Sequence, residues 1–149
     1  MRLEDVDRML PNGFHDSYLE KLTIDYLERK AVFDLDVWIG DLESKEESER
    51  EAYRKARLEL FNLRYCVIEP PHPLYPFDEG KPLWIDAWPD AELDNRPTNL
   101  PKILAEEAFA YAIWVNNWNS YIHVAADDAS FEWLAEPTTG PSHFLTANR

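Results

Sequence analysis

The sequence predicts a mainly β domain, an antiparallel sandwich or open barrel of about six to seven strands with little helix. An α+β arrangement is the alternative. The 149 residues include six Trp, seven Tyr and seven Phe, and aromatic side chains favour the half-buried surface of a sheet. Several segments alternate apolar and polar residues with a period of two. Short polar connections join these segments, which leaves no room for the helices that a parallel sheet requires.

The first forty residues carry the clearest pattern. Residues 3–10 have helical spacing, and Pro11-Asn12-Gly13 is typical of a turn that ends a helix. Residues 18–27 and 31–39 then alternate, and the polar residues between them are few. Two alternating runs joined in this way predict an antiparallel hairpin.

Residues 53–68 continue the alternation with one defect. Ala56, Leu58 and Leu60 share one face, and Leu63, Tyr65 and Val67 share a face of opposite parity. This change near Phe61-Asn62 predicts a β-bulge that restores one continuous inward face; two strands with a bend between them are the alternative. Cys66 lies in the apolar part of this run and is the only cysteine. We therefore expect a buried, inert thiol and no intramolecular disulfide.

The rest of the chain is connections and further strands. Residues 41–52 are almost entirely polar and charged, so they predict an exposed loop. Proline-rich residues 69–76 predict an extended crossing, and residues 137–149 predict a loose tail docked at most by Phe144. Asn116-Asn117 and Asp127-Asp128 are predicted turns. The remaining predicted strands are residues 83–88, 109–115, 118–126 and 130–134.

Length and charge limit the classes of function. Residues 1–149 fit a single domain, and the formal charge is −14. Such a field repels nucleic acid and anionic membranes and favours either plain solubility or a basic protein partner. The first residues lack a secretory signal, and no apolar stretch approaches the length of a membrane span. The expectation is a soluble, cytoplasmic protein.

The segment from Phe14 to Asp25 carries a resemblance. It reads Phe-His-Asp-Ser-Tyr-Leu-Glu-Lys-Leu-Thr-Ile-Asp, a His-Asp pair before an alternating strand. This opening resembles small uncharacterised bacterial β-rich proteins, some of them grouped with immunity proteins of polymorphic toxin systems. The resemblance covers about the first third of the chain. It implies a β fold and a binding or inhibitory role.

Three residues are candidates for catalysis: His15, Asp16 and His123. A histidine beside a carboxylate can transfer protons or bind a metal, but adjacent residues of an extended chain point to opposite sides. A turn held by the hydrogen bonds of His15 and Asp16 is the structural alternative. The spacing of histidines, cysteines and acids forms no known metal motif, and no phosphate-binding loop is present. We expect no metal and no cofactor.

A binding surface is predicted from strand parity. Tryptophans and carboxylates share one face of the predicted strands, which a recognition surface requires. Alternatively, the rings form a second apolar layer beneath a loop or in a homodimer, and the carboxylates only face solvent. The candidate binding residues are Trp38, Trp84, Trp88, Asp34, Asp36 and Asp86.

These observations favour a non-enzymatic protein-binding module, immunity-like or regulatory, whose partner is a basic protein. A hydrolase or metal-assisted enzyme that uses His15, Asp16 and His123 is one alternative. Carbohydrate binding through exposed tryptophans is another.

Overall fold

The computed structural model describes residues 1–74 and 78–141. Its helices are short: α1 (Leu3–Met9), α2 (Glu47–Arg50) and one 3₁₀ turn (Asp90–Glu92). The strands are β1 (Pro11–Phe14), β2 (Ser17–Asp25), β3 (Lys30–Trp38), β4 (Ala52–Ile68), β5 (Leu83–Pro89), β6 (Phe109–Val115), β7 (Ser120–Trp133) and β8 (Thr138–Thr139). No helix among the described residues is long and apolar enough to span a membrane.

Six strands form a closed antiparallel barrel in the order β3-β2-β5-β6-β7-β4, and β4 returns to β3. The short strand β8 pairs with the first residues of β4. The prediction of a mainly β, antiparallel fold with little helix is confirmed. Of the two predicted architectures the barrel is present, and it is closed rather than open.

The long strand β4 closes the ring because it pairs along both of its edges. Residues 53–61 pair with β3, and residues 56–68 pair with β7. Seventeen residues are enough for both pairings because the two partners are staggered along β4. A strand shared in this way turns a curved sheet into a barrel without free edges between these strands.

Alternating residues fill the barrel. The inward side chains of β3 are almost completely buried: Ala31, Phe33, Leu35 and Val37. Helix α1 adds Leu3 and Val6 to the same apolar cluster. Burial of each large apolar side chain stabilises the fold by roughly 1.5–3 kcal/mol. The residues between the inward ones point to the outside of the barrel, where the candidate site lies.

The predicted bulge in β4 lies close to its expected place. Asn62 has a left-handed backbone (φ +52°), and the register shifts between Leu63 and Tyr65. The prediction that Leu63, Tyr65 and Val67 share an inward face is wrong beyond Leu63. Cys66 packs against the core and Val67 is exposed, because the second irregularity reverses the parity again.

The structure contradicts the predicted turn at Asp127-Asp128 and confirms the one at Asn116-Asn117, which is part of the turn of residues 116–119. Asp127 and Asp128 lie inside the continuous strand β7, because both carboxylates have partners there: Asp127 pairs with Arg64 at 2.7 Å and Asp128 with the N-terminal ammonium. In the β6–β7 hairpin the left-handed residue is Asn119 (φ +52°), not Asn116 or Asn117.

The first predicted turn, at residues 11–13, is partly replaced by strand. Pro11–Phe14 form β1, although Gly13 has the positive φ that a turn uses (+57°). The side chain of Asp7 accepts the Phe14 N–H at 3.1 Å. This bond joins α1 to β1 and sets the direction in which the chain enters the His15-Asp16 turn.

The charged loop of residues 41–52 is mostly exposed, as predicted, but it is tied to the barrel. The indole N–H of Trp38 donates to the carbonyl of Arg50 at 2.9 Å, and the Asp41 N–H donates to the Glu49 carbonyl at 2.9 Å. The loop therefore lies over the end of β3. In the tail, β8 anchors residues 138–139, and the predicted docking by Phe144 lies outside the described residues.

Candidate functional site

The outside of the barrel carries a band of aromatic and acidic side chains across several strands. Strand register creates this band: Tyr18 pairs with Trp84, Asp86 with Trp114, and Trp114 with Tyr121. Their chain neighbours, such as Ile85, are buried in the core. We call this band the outer aromatic face, and its members are Tyr18, Trp38, Trp84, Asp86, Trp88, Trp114 and Tyr121.

One end of the outer aromatic face is concave. A pocket of about 290 Å³ opens there, and we call it the Trp84 pocket. Strands β2, β3, β4 and β5, the turn before β2 and the charged loop all contribute to its wall. The lining residues are His15, Asp16, Tyr18, Trp38, Leu42, Glu51, Tyr53 and Trp84.

The rings of the Trp84 pocket are held in fixed positions. The Trp84 indole N–H donates to Asp16 Oδ1 at 2.9 Å, and its backbone N–H donates to Asn117 Oδ1 at 2.6 Å. The rings of Tyr18 and Tyr53 lie 5.9 Å apart, centroid to centroid. Trp84 is 43% exposed, so the pocket combines an open ring with rings that the fold holds in place.

The pocket has a negative electrostatic potential. Burial is the largest cause that raises the pKa of Tyr18 and of Tyr53 above the ordinary value, and the charges of Asp16, Glu51 and Asp36 raise both further. A negative field disfavours a phenolate and favours a cation in the same place. The carboxylates therefore favour a cation in this pocket, whereas burial disfavours any charge that is left unpaired.

His15, Asp16 and Asp86 form a cluster at the rim. Nδ1 of His15 is hydrogen-bonded to Asp86 Oδ1, and Nε2 lies 3.2 Å from Asp16 Oδ2. Asp16 has φ +53°, which turns its carboxylate towards the histidine ring. The expectation that the two side chains point to opposite sides is therefore wrong. The alternative of a turn held by their hydrogen bonds agrees with this geometry.

The same three residues are the donor set that could hold a cation. One ligand atom from each lies within 4.8 Å of the others. Both ring nitrogens of His15, however, already face carboxylate oxygens, and the Asp16 N–H donates to Asp86 Oδ1 at 3.2 Å. We interpret the cluster as the support of the Trp84 pocket, because these bonds fix the residue that holds the indole ring.

His123 belongs to a different cluster. It is fully buried on the outer side of β7 beneath the loops that follow β4 and β5. Its Nε2 lies 2.7 Å from Glu69 Oε2 and its Nδ1 lies 3.7 Å from Asp90 Oδ1, while Arg96 pairs with Asp90. None of these partners contacts His15 or Asp16, so the structure does not bring the three predicted catalytic residues together.

The structure brings only some of the predicted binding residues together at the Trp84 pocket. Trp38 and Trp84 line the Trp84 pocket, and Asp86 supports it through His15. Asp36 is only 1% exposed and does not line the pocket, whereas Asp34 is paired with Arg57 at 2.9 Å.

Trp88 lies in a separate pocket of about 520 Å³, with Tyr121 and the acids Glu92 and Asp94. Its ring meets that of Tyr121 edge-on at 6.1 Å. Of the three predicted tryptophans, Trp38 is 8% exposed and its indole N–H is already bonded. A flat platform of exposed rings, which carbohydrate binding requires, therefore does not include Trp38.

Four residues of the pocket were not predicted as site residues: Tyr18, Leu42, Glu51 and Tyr53. Tyr18 has the outward parity of β2, a signal that the sequence contains. Tyr53 lines the pocket because it pairs with Trp38, and Glu51 lines it because it directly precedes β4. Those two depend on the return of β4 to β3, which no local pattern reveals.

The chain was compared with known protein families, curated proteins and solved structures, and none of them matches it. The resemblance of residues 14–25 to bacterial immunity proteins therefore stays a prediction.

Proposed function

We propose that this chain is a non-enzymatic binding module that holds a basic protein on its outer aromatic face. The observation that carries the proposal is the Trp84 pocket, which joins four aromatic rings to carboxylates. Among the described residues that line the Trp84 pocket there is no lysine or arginine. Rings set among carboxylates form a typical hot spot of a protein interface.

The charge of the whole chain supports the same partner. A net charge of −14 attracts a basic protein over distances near the Debye length, about 8–10 Å at ordinary salt concentrations. Steering of this kind raises the rate of association and fades as salt is added. The second pocket, with Trp88 beside Glu92 and Asp94, extends the same chemistry along the face and offers room for further contacts.

A comparison of matched variants tests the proposal. Immobilised chain is used to capture basic proteins at low salt, first as wild type and then as the double variant Trp84→Ala/Asp16→Asn. The control is Trp133→Ala/Asp127→Asn, which changes the same residue types elsewhere on the barrel. Asparagine tolerates the left-handed backbone of residue 16, and circular dichroism checks that each variant folds.

The expected result is a protein of high isoelectric point that wild type and control retain and the Trp84 variant loses. The captured protein, once purified, binds the wild type directly and with strong salt dependence. Equal retention by the Trp84 variant would contradict the proposal, and so would a failure to capture any basic protein at low salt.

A further inference from the structure

The Trp84 pocket has the composition of a cation-binding site. A cation placed over the face of a tryptophan or tyrosine is attracted by the ring quadrupole, and the attraction grows when the site is desolvated. Here Trp38 and Tyr53 are buried at the floor, and Trp84 is open at the rim. Asp16 and Glu51 stand in the same wall and add charge attraction to the ring contact.

Two aromatic rings elsewhere in the barrel are covered by cationic side chains of the chain itself. Arg54 lies over the ring of Trp133, 4.9 Å from its centroid, and Lys30 lies 5.4 Å from the centroid of Phe61. Among the described residues, no lysine or arginine lies over the ring of Trp38, Tyr53 or Trp84. These three rings of the pocket are therefore open to a cation from a partner.

The pocket is large enough for either basic side chain, and the chemistry of the two cations separates them. At about 30 Å³ for each non-hydrogen atom, the density of liquid water, 290 Å³ holds roughly ten atoms. That is enough for one arginine side chain. A guanidinium is planar, stacks on aromatic faces and pairs with a carboxylate through two parallel hydrogen bonds, whereas an ammonium is a strongly hydrated point charge.

We infer that the Trp84 pocket receives one arginine side chain of the basic partner, with the guanidinium among the rings and paired with Glu51, since both oxygens of Asp16 already face Trp84 and His15. This inference rests on the proposed function and adds the identity of the anchoring residue. The rings exclude water from the guanidinium, and the carboxylates neutralise it. The hydrogen bond from the Trp84 indole to Asp16 holds ring and carboxylate together before the partner arrives.

The test uses the folded chain and three small probes: N-acetylarginine amide, N-acetylcitrulline amide and N-acetyllysine amide. Citrulline has the shape of arginine without its charge, and lysine has the charge without the planar group. Titration calorimetry is expected to show that arginine binds about tenfold more tightly than either probe. Citrulline lacks the cation–π attraction, and the ammonium of lysine is more strongly hydrated and lacks the planar fork. Glu51→Gln and Trp84→Ala are each expected to weaken arginine binding by a similar factor.

Trp133→Ala is the matched control, because Trp133 lies outside the outer aromatic face and Arg54 already covers its ring. It is expected to leave arginine binding unchanged. Should Trp84→Ala perturb the fold, Trp84→Phe keeps a ring at the site and is expected to retain part of the affinity. The inference would be overturned if citrulline or lysine bound as tightly as arginine. It would also be overturned if either Glu51→Gln or Trp84→Ala bound arginine as tightly as the wild type.

Failure here is distinguishable from failure of the proposed function. The arginine probe could fail to bind while the wild type still captures a basic protein that Trp84→Ala/Asp16→Asn does not capture. In that case the outer aromatic face binds its partner through other contacts. If neither binds, both proposals are overturned.

Discussion

The indole N–H of Trp84 donates to Asp16 Oδ1 at 2.9 Å, although the two residues are separated by 68 positions. This bond joins the turn before β2 to the first part of β5. It fixes an exposed ring that has little apolar packing to hold it, since Trp84 is the most exposed tryptophan of the outer aromatic face. A ring fixed before binding loses less conformational entropy when a partner arrives.

Replacement of Asp16 tests how the turn holds that ring. Asp16→Ala removes the acceptor of the indole bond and puts a side chain that disfavours φ +53° at the turn. We expect the free energy of unfolding to fall by about 1–3 kcal/mol. Asp16→Asn keeps an oxygen acceptor and a residue that tolerates this backbone, so its loss is expected to be smaller. Urea unfolding of both variants measures the difference, and equal losses would contradict this view of the turn.

Gly40 holds the charged loop close to the pocket. A Cβ at this position would overlap the Arg50 carbonyl and Nε1 of Trp38, the two groups joined by the hydrogen bond beneath the loop. We expect Gly40→Ala to destabilise the fold by about 1–3 kcal/mol, a typical cost of overpacking. It should also weaken arginine binding, because Trp38 must move. Glu43→Ala, an exposed change in the same loop, is the control for thermal unfolding and titration and is expected to change neither.

Burial makes Cys66 a poor nucleophile. It raises the pKa of this thiol to about 11 from an ordinary 9.0, so the thiolate fraction near neutral pH falls by about 100-fold, tenfold for each unit. We expect alkylation by iodoacetamide to be slower by at least this factor in the folded chain than in urea. Rapid alkylation of the folded protein would contradict the inward position of Cys66 in β4.

Alkaline pH should destabilise the fold through Tyr53. Its pKa in the folded chain lies above the ordinary 10.0 because burial and neighbouring carboxylates oppose ionisation. The unfolded phenol ionises first, so the stabilisation is complete below pH 10 and is lost as the pH rises above it. We expect Tyr53→Phe to reduce the loss of unfolding free energy above pH 10. The exposed change Tyr26→Phe is expected to leave the loss unchanged, and an equal effect of both would contradict the buried position of Tyr53.

Much of the fold could be predicted because its signals are local. The alternation in residues 31–39 and 53–61 has a period of two, and most of the inward apolar residues there are buried in the barrel. The position of the bulge near Asn62 followed from one change of parity. The turn assigned to Asp127-Asp128 failed for the opposite reason: these acids are satisfied by Arg64 and the N-terminal ammonium, partners that are distant in sequence.

The candidate site could be predicted only in part. Parity placed Trp38 and Trp84 on the same side of their strands, but it could not place β3 and β5 on the two sides of β2 or β4 beside β3. That depends on the pairing of β2 with β5 and of β3 with β4, both of which join distant parts of the chain. Tyr53 and Glu51 therefore had no signal in the sequence.

Binding of an arginine side chain in the Trp84 pocket is tested most directly by ¹H–¹⁵N NMR of the tryptophan indole N–H groups while N-acetylarginine amide is added. If the outer aromatic face binds its partner through the Trp84 pocket, the indole signals of Trp84 and Trp38 shift and saturate. The signal of Trp133, whose ring Arg54 already covers, stays in place. Shifts that are absent, that spread evenly over all the tryptophans, or that N-acetylcitrulline amide reproduces would contradict the claim.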